Sequence, residues 1–397
     1  MARLKFTHHL LIAALLLLAA LAFIAVRNWD TVSQMVDNAM SMNEGASAAQ
    51  SIRSPDDLLT YIAQHPEQVS LVAFDVDDPG AGVYYGADSV RATTRVAVLQ
   101  LLADYAQETA ADGTPQRVPL DSIAQYALPG VTQASYEQTL QSLEASGQIG
   151  SDSTVTVADL MARVARSGGR ATVDWWMMSR GADAVSTLPD ALTLSNTTAP
   201  RPLTGVTLLG RNRSIDALQN LSSAEQMKAA FAETHRLRDA ATRARVHDQM
   251  QTDGSTLTLE QQRDVVQAIY PKGTARAYAT FARGIAEGTV PSSASASVLH
   301  SMLERSMAPD SADVPFASVA TYGGAAPGVM SFVGYARFRD DRSPRVAVLL
   351  MERMPIAVVY HLLQTGIDTG FQLQLLGDPA YLDRVRRTLT EASAPAS

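Results

Sequence analysis

The chain has 397 residues and a formal net charge of −8, so it is long enough for one large domain or two medium ones and has no general attraction to nucleic acid. It contains no cysteine, which excludes disulfides, thiolate metal sites and cysteine nucleophiles. Its basic residues are almost all arginine; the only lysines are Lys5, Lys228 and Lys272.

Met1 to His9 carries Arg3 and Lys5 and leads into the apolar run Leu10 to Val26, closed by Arg27. A basic flank before an apolar run of nearly bilayer length predicts that 1–27 is a membrane anchor with the rest of the chain exported. Ala20-Leu21-Ala22 also fits a small-x-small cleavage site, so a signal peptide is the competing reading. Residues 28–53 are polar and rich in Ser, Ala and Met, and read as a stalk or linker. The folded domain is placed at 54–397. It opens on Ser54-Pro55-Asp56-Asp57, an N-cap hydroxyl followed by proline and acids in the first helical turn.

Val69 to Asp75 is β-branched and aromatic, hence a strand; Asp77 to Gly80 reads as a turn and Gly82 to Gly86 as a second strand. The pattern then turns helical. Val96 to Ala106 is apolar nearly all round, as a helix inside a core must be. Thr156 to Asp159, Ser222 to Glu225 and Thr258 to Gln261 are helix openings, and Ala275 to Ala286 is helical again. Strand character returns at Phe316 to Thr321, Val329 to Phe338 and Arg345 to Met351, and two helices, near Ile356 to Thr365 and Tyr381 to Thr390, close the chain. Strands at both ends of the domain predict an α/β (α+β) fold: one antiparallel sheet built from both ends, flanked by helices, with a large helical subdomain inserted over about residues 92–310.

Four stretches carry a family resemblance. Ala87 to Ala106 resembles a segment of the form A-D-x-V-R-P-L-A-S-T-x-K-I; Val155 to Trp176 resembles V-T-L-x-D-L, a helix, then S-D-N-x-A-T-D. Gly273 to Glu304 resembles a helix pair opened by G-T-A and ended by L-E, and Ala320 to Arg337 resembles a strand with K-T-G or K-G-G followed by S-L-P-G-V. In order and spacing these are similar to the serine β-lactamase and penicillin-binding superfamily, closest to the class A β-lactamase-like serine hydrolases. The resemblance implies a β-lactamase/transpeptidase-like fold over roughly Ser54 to Leu389.

It also implies a reaction whose parts are missing. The family's serine nucleophile is activated by a lysine one helical turn later. Aligned without a gap, the serine falls on Arg95 and the lysine on Val98; a frame three residues earlier gives Ala92 and Arg95. No alignment is needed to see the loss, because the residues three before the lysines are Ala2, Glu225 and Ile269, so no Ser-x-x-Lys exists. Arginine does not deprotonate near neutral pH and cannot serve as the base. S-D-N falls on Ser167-Gly168-Gly169, which keeps the serine and loses the asparagine side chain at Gly169; a helix end and loop is the plainer reading of that tripeptide. K-T-G falls on Tyr322-Gly323-Gly324, with no cation for a substrate carboxylate. Lys272-Gly273-Thr274 has the wrong order. Ala184 to Ala224 holds no glutamate for deacylation.

The histidines show no metal spacing, and neither metal nor cofactor is expected. Trp175-Trp176 reads as core packing, and Ser89, Thr93 and Thr94 are the hydroxyls near the lost site. The expectation is an inactive homologue serving as a binding or scaffold protein of the bacterial envelope. Its expected partners are the membrane, through the N-terminal helix, and an envelope protein or peptidoglycan-like peptide; no nucleic acid is expected. The alternative is a divergent serine hydrolase with relocated groups.

Overall fold

The computed structural model describes residues 37–112, 116–253, 257–306, 315–340 and 342–393. The segment read as anchor or signal peptide, and the start of the stretch read as stalk, lie outside the described residues. Among the described residues no helix is long and apolar enough to cross a membrane.

Helix α1 (Ala46–Ser51) lies in the stretch read as stalk, and it packs on the domain; Ile52 after it is buried and its carbonyl meets His361 Nε2 at 2.6 Å. Helix α2 (Pro55–Gln64) opens as read, with the Ser54 hydroxyl accepting from Asp57 N at 3.2 Å. Strands β1 (Val69–Asp75) and β2 (Asp78–Tyr85) follow. The turn between them is shorter than read, and Asp78-Pro79-Gly80 belongs to β2. Proline is tolerated there because β2 is the sheet edge, where a missing N–H breaks no ladder.

Strands β3 (Glu304–Ser306), β4 (Phe316–Ala326), β5 (Val329–Phe338) and β6 (Arg345–Met351) complete a six-stranded sheet in the order β2-β1-β6-β5-β4-β3, antiparallel at every pairing. Both ends of the domain supply strands, and the helical block lies between them in sequence, as expected. Strand alternation splits the residues of β6 between two cores. Val346, Val348 and Leu350 face the helical block, while Ala347, Leu349 and Met351 face α2 and the C-terminal helices. Three helices close the chain rather than two: α11 (Ile356–Thr365), α12 (Ile367–Gly377) and α13 (Pro379–Ser393). Gly366, at φ 67°, ends α11 and starts α12 without a loop, which leaves no break in the pattern between them.

The helical block includes α3 (Leu99–Asp112), α4 (Val157–Ser167), α5 (Arg170–Arg180), α6 (Leu203–Asn212), α7 (Ser223–Arg236), α8 (Leu259–Ile269), α9 (Ala275–Glu287) and α10 (Ser293–Leu303). Helix α3 runs through the core, with Leu101, Leu102, Ala103 and Ala106 fully buried. Trp175 and Trp176 are buried in the same core, Trp176 edge-on to Tyr105.

The entry to α3 is fixed by charge and hydrogen bonding. Arg91 and Ala92 pair with Gly273 and Lys272 in a two-residue antiparallel ladder. Glu352 takes the Ala92 amide at 2.9 Å and the buried Arg91 guanidinium at 3.3 Å. A paired, fully bonded charge of this kind holds geometry, and its removal strands its partner. Lys272-Gly273-Thr274 is thus a structural junction, and Thr274 caps α9.

Candidate functional site

Arg95 to Val98 forms a single 3-10 turn before α3, and at three residues per turn positions 95 and 98 lie on one face. That face opens on a cleft of about 560 Å³. Five of the seven positions marked by the sequence line it: Arg95, Val98, Ser167, Gly323 and Gly324. Gly169 and Tyr322 lie buried behind the wall.

Arg95 occupies the position that the resemblance gives to the nucleophile. Its Nη2 donates to Val164 O at 2.6 Å and Ala165 O at 3.2 Å, the last carbonyls of α4. A cation at a helix C-terminus is favoured there by about 0.3–1 kcal/mol, because it meets the negative end of the helix dipole; Val164 O also accepts from Gly168 N at 3.2 Å. The guanidinium also stacks 4.3 Å from the Tyr322 ring centroid. Burial pushes the Tyr322 phenol up from its usual range, and the Arg95 charge opposes that. Arg95 is therefore a clamp between α4 and β4.

The neighbouring positions fit a structural role. Gly168 adopts φ 100° at the end of α4, a conformation other residues rarely hold, and a Cβ there would stand 3.4 Å from Arg95 Cζ. Ser167 sits on the cleft wall, but its hydroxyl donates back to Arg163 O at 3.0 Å. Gly169 leaves no side chain to reach a ligand. Val98 packs against the core.

The hydroxyls near the turn are engaged or remote. Thr93 is fully buried and donates to Pro271 O at 3.1 Å; Ser89 is exposed in the loop after β2. Thr94 reaches the cleft, where its hydroxyl donates to Gly324 O at 2.8 Å and lies 2.6 Å from the Ser331 hydroxyl. Among the described residues no lysine, histidine or carboxylate lines this cleft beside it except Asp174. That carboxylate is engaged: Oδ1 accepts from Leu203 N and Oδ2 from Thr204 N, both at 2.8 Å. Burial raises the Asp174 pKa to about 6 despite those bonds. The arrangement holds no nucleophile with a base in reach.

The cleft does hold features the motifs did not mark. Arg170 at the start of α5 and Arg201 before α6 lie on its wall, and neither has an ion-pair partner among the described residues. Arg201 is 93% buried in terms of its 7% exposure, with Nη1 on Ile269 O at 2.8 Å, Nη2 on Ser223 Oγ at 2.8 Å and Nε unbonded. Burial lowers its pKa to about 10, which leaves it charged at neutral pH. The region from Ala184 to Ala224, which holds no glutamate, thus supplies a cation. Because Arg201 comes from a different segment than Arg170 and Asp174 of α5, no local pattern joins the three; the excess of arginine over lysine was the available signal.

Beside the turn, β4 continues past the end of β3. Strand β3 pairs only with Ser318 to Ala320, so the outer edge of β4 from Tyr322 to Ala326 has no strand partner among the described residues. Tyr360 and Leu363 of α11 form an exposed apolar lip at the end of that edge.

No family model and no curated protein matches the chain. Among solved structures it is similar to a β-lactamase from Sphaerobacter thermophilus DSM 20745, with a TM-score of 0.48 at 14% identity over 89% of this chain and 99% of that one. It is similar also to a β-lactamase from Chitinophaga pinensis DSM 2588 (TM-score 0.47, 10% identity, 86% and 99% covered) and to PBP-A (0.44, 14%, 85% and 95%).

Proposed function

We propose that this chain is a β-lactamase-like domain without acyl-transfer activity, exported to the bacterial envelope, that uses its cleft to bind a peptide segment non-covalently. The clamped Arg95 carries this reading. Its guanidinium stands where the reaction needs a hydroxyl and is tied to two carbonyls and an aromatic ring. A group so held does not swing aside to expose another nucleophile without breaking α4 from β4. The cleft behind it remains open, with a volume in the range of ligand pockets and an unpaired strand edge along one side. An extended peptide adds to such an edge through main-chain hydrogen bonds. The basic flank and apolar run of residues 1–27 support export.

The test is incubation of the purified protein with a fluorescent penicillin, followed by intact mass measurement. No adduct is expected, and a chromogenic cephalosporin and activated esters should remain unhydrolysed. An adduct on Thr94, or turnover of either substrate, would overturn the reading in favour of a divergent hydrolase.

A further inference from the structure

Four cations line one cleft in a chain whose net charge is −8, Arg95, Arg170, Arg201 and Arg211, and the first three have no acid within ion-pair distance among the described residues. Arg95 has a structural task. Arg201 ties the end of α8 to the start of α7 through Ile269 O and Ser223 Oγ, whereas Arg170 has little to hold. Arg170 is exposed, and its guanidinium reaches only Val131 O at 3.5 Å. Arg201 is buried with an unbonded Nε, a costly arrangement for a charged group unless a further partner arrives.

The two lie on one wall. Arg170 and Asp174 are four apart on α5 and so share a helix face. Asp174 holds the amides of Leu203 and Thr204, two and three residues beyond Arg201. Leu203 N and Thr204 N each occupy one Asp174 oxygen, and the Arg170 charge acts on the same carboxyl, so the wall carries two guanidinium groups against one enclosed carboxylate. Guanidinium forks match carboxylates two bonds at a time, and a recessed cleft of one charge sign concentrates the opposite one. The same cleft has the unpaired edge of β4 and the apolar lip of Tyr360 and Leu363, which suit a main chain and an apolar side chain.

Building on the reading of the cleft as a peptide site, we propose that its ligand is an extended acidic peptide, whose side-chain carboxylates are held by Arg170 and Arg201 while its main chain runs along the edge of β4. The test uses the full chain and fluorescence anisotropy with a fluorescein-labelled octapeptide of alternating alanine and glutamate. A second octapeptide carries glutamine for glutamate, and a third is the glutamate peptide with alternate backbone nitrogens methylated. The glutamate peptide should bind at least ten-fold more tightly than the other two, and its affinity should fall with added salt. Arg201→Met should weaken it at least five-fold. Arg170→Gln, at an exposed position, should do the same, with the urea midpoint of each variant measured alongside to show that it is folded. Equal binding of the glutamate and glutamine peptides would overturn the acidic preference and leave the peptide-binding reading standing. Displacement of the peptide by millimolar glutarate or inorganic phosphate, with no effect of backbone methylation, would reduce the site to one for small anions and overturn the proposal. Binding of neither peptide would overturn the proposal and the peptide-binding reading together.

Discussion

The Arg95 guanidinium lies 4.3 Å from the centroid of the Tyr322 ring, joining the turn before α3 to the strand β4. The same guanidinium closes the C-terminus of α4 through Val164 O and Ala165 O. Removing it takes the side-chain donor from Ala165 O, leaves Val164 O with the Gly168 amide alone, and frees one aromatic face. Contributions of about 0.3–1 kcal/mol from the helix end and about 0.5–2 kcal/mol from the ring lead us to expect a loss of about 1–3 kcal/mol for Arg95→Ala. Urea denaturation measures it. A double-mutant cycle with Tyr322→Leu should return a coupling of at least about 0.5 kcal/mol; additive effects would show that the stacking is incidental.

Restoring the two alignment positions should not restore the reaction. Arg95→Ser with Val98→Lys rebuilds the spacing of nucleophile and base on the 3-10 turn. Gly169 still offers no side chain, and Tyr322 still offers no cation to a substrate carboxylate. Catalytic constellations act as units, and one missing member costs orders of magnitude. We expect a folded double variant that acquires no penicillin adduct by intact mass. Stoichiometric acylation would mean that other groups of the cleft supply the remaining machinery.

These two expectations separate what the sequence displays from what only the fold reveals. Strands β1, β5 and β6 were legible to the residue because β-branched and aromatic runs have few other places to go. Strand β4 runs five residues further than its apolar signal, to Ala326, because Gly323 and Gly324 carry no strand propensity; pairing with Phe332 and Ser331 of β5 holds them. The glycine-joined α12 was hidden for the opposite reason, since its buried residues continue those of α11. In the cleft, motif spacing located Arg95, Val98, Ser167 and Gly324. The acid and the cations of the other wall were not legible: Asp174 and Arg201 meet only because α5 packs on the segment entering α6.

Asp174 makes stability depend on pH in a defined direction. Its carboxyl is fully enclosed, with Arg170 and Tyr270 the charged and titratable groups that act on it, and its pKa rises to about 6 from the usual 3.8. The folded state therefore holds the proton more tightly than the unfolded chain does. The stabilising contribution of the protonated form is fully present below about pH 3.8 and is lost as pH rises to about 6. Two pH units correspond to about 3 kcal/mol. Other carboxylates titrate in the same range, so the informative quantity is the difference between the wild type and Asp174→Asn. In urea denaturation from pH 4 to pH 7, wild-type stability should fall relative to the variant by up to about 3 kcal/mol. Parallel curves would show that Asp174 does not titrate in that window.

The wall that carries Arg201 depends on a close approach of two helices. A Cβ on Gly205 of α6 would stand 2.0 Å from Ala230 O and 2.5 Å from Thr234 Oγ1, both on α7. The first of these is backbone and does not rotate away. Gly205→Ala must therefore separate α6 from α7, and overpacking of this kind costs about 1–3 kcal/mol. The shift also moves the Leu203 and Thr204 amides relative to Asp174, and with them Arg201. We expect a lowered urea midpoint together with weaker binding of the acidic peptide. Thr207→Ala, two residues along the same helix, removes only a local bond to Leu203 O and should change stability by less than about 1 kcal/mol. If Gly205→Ala were as mild as Thr207→Ala, the two helices would not be in the contact that shapes the cleft wall.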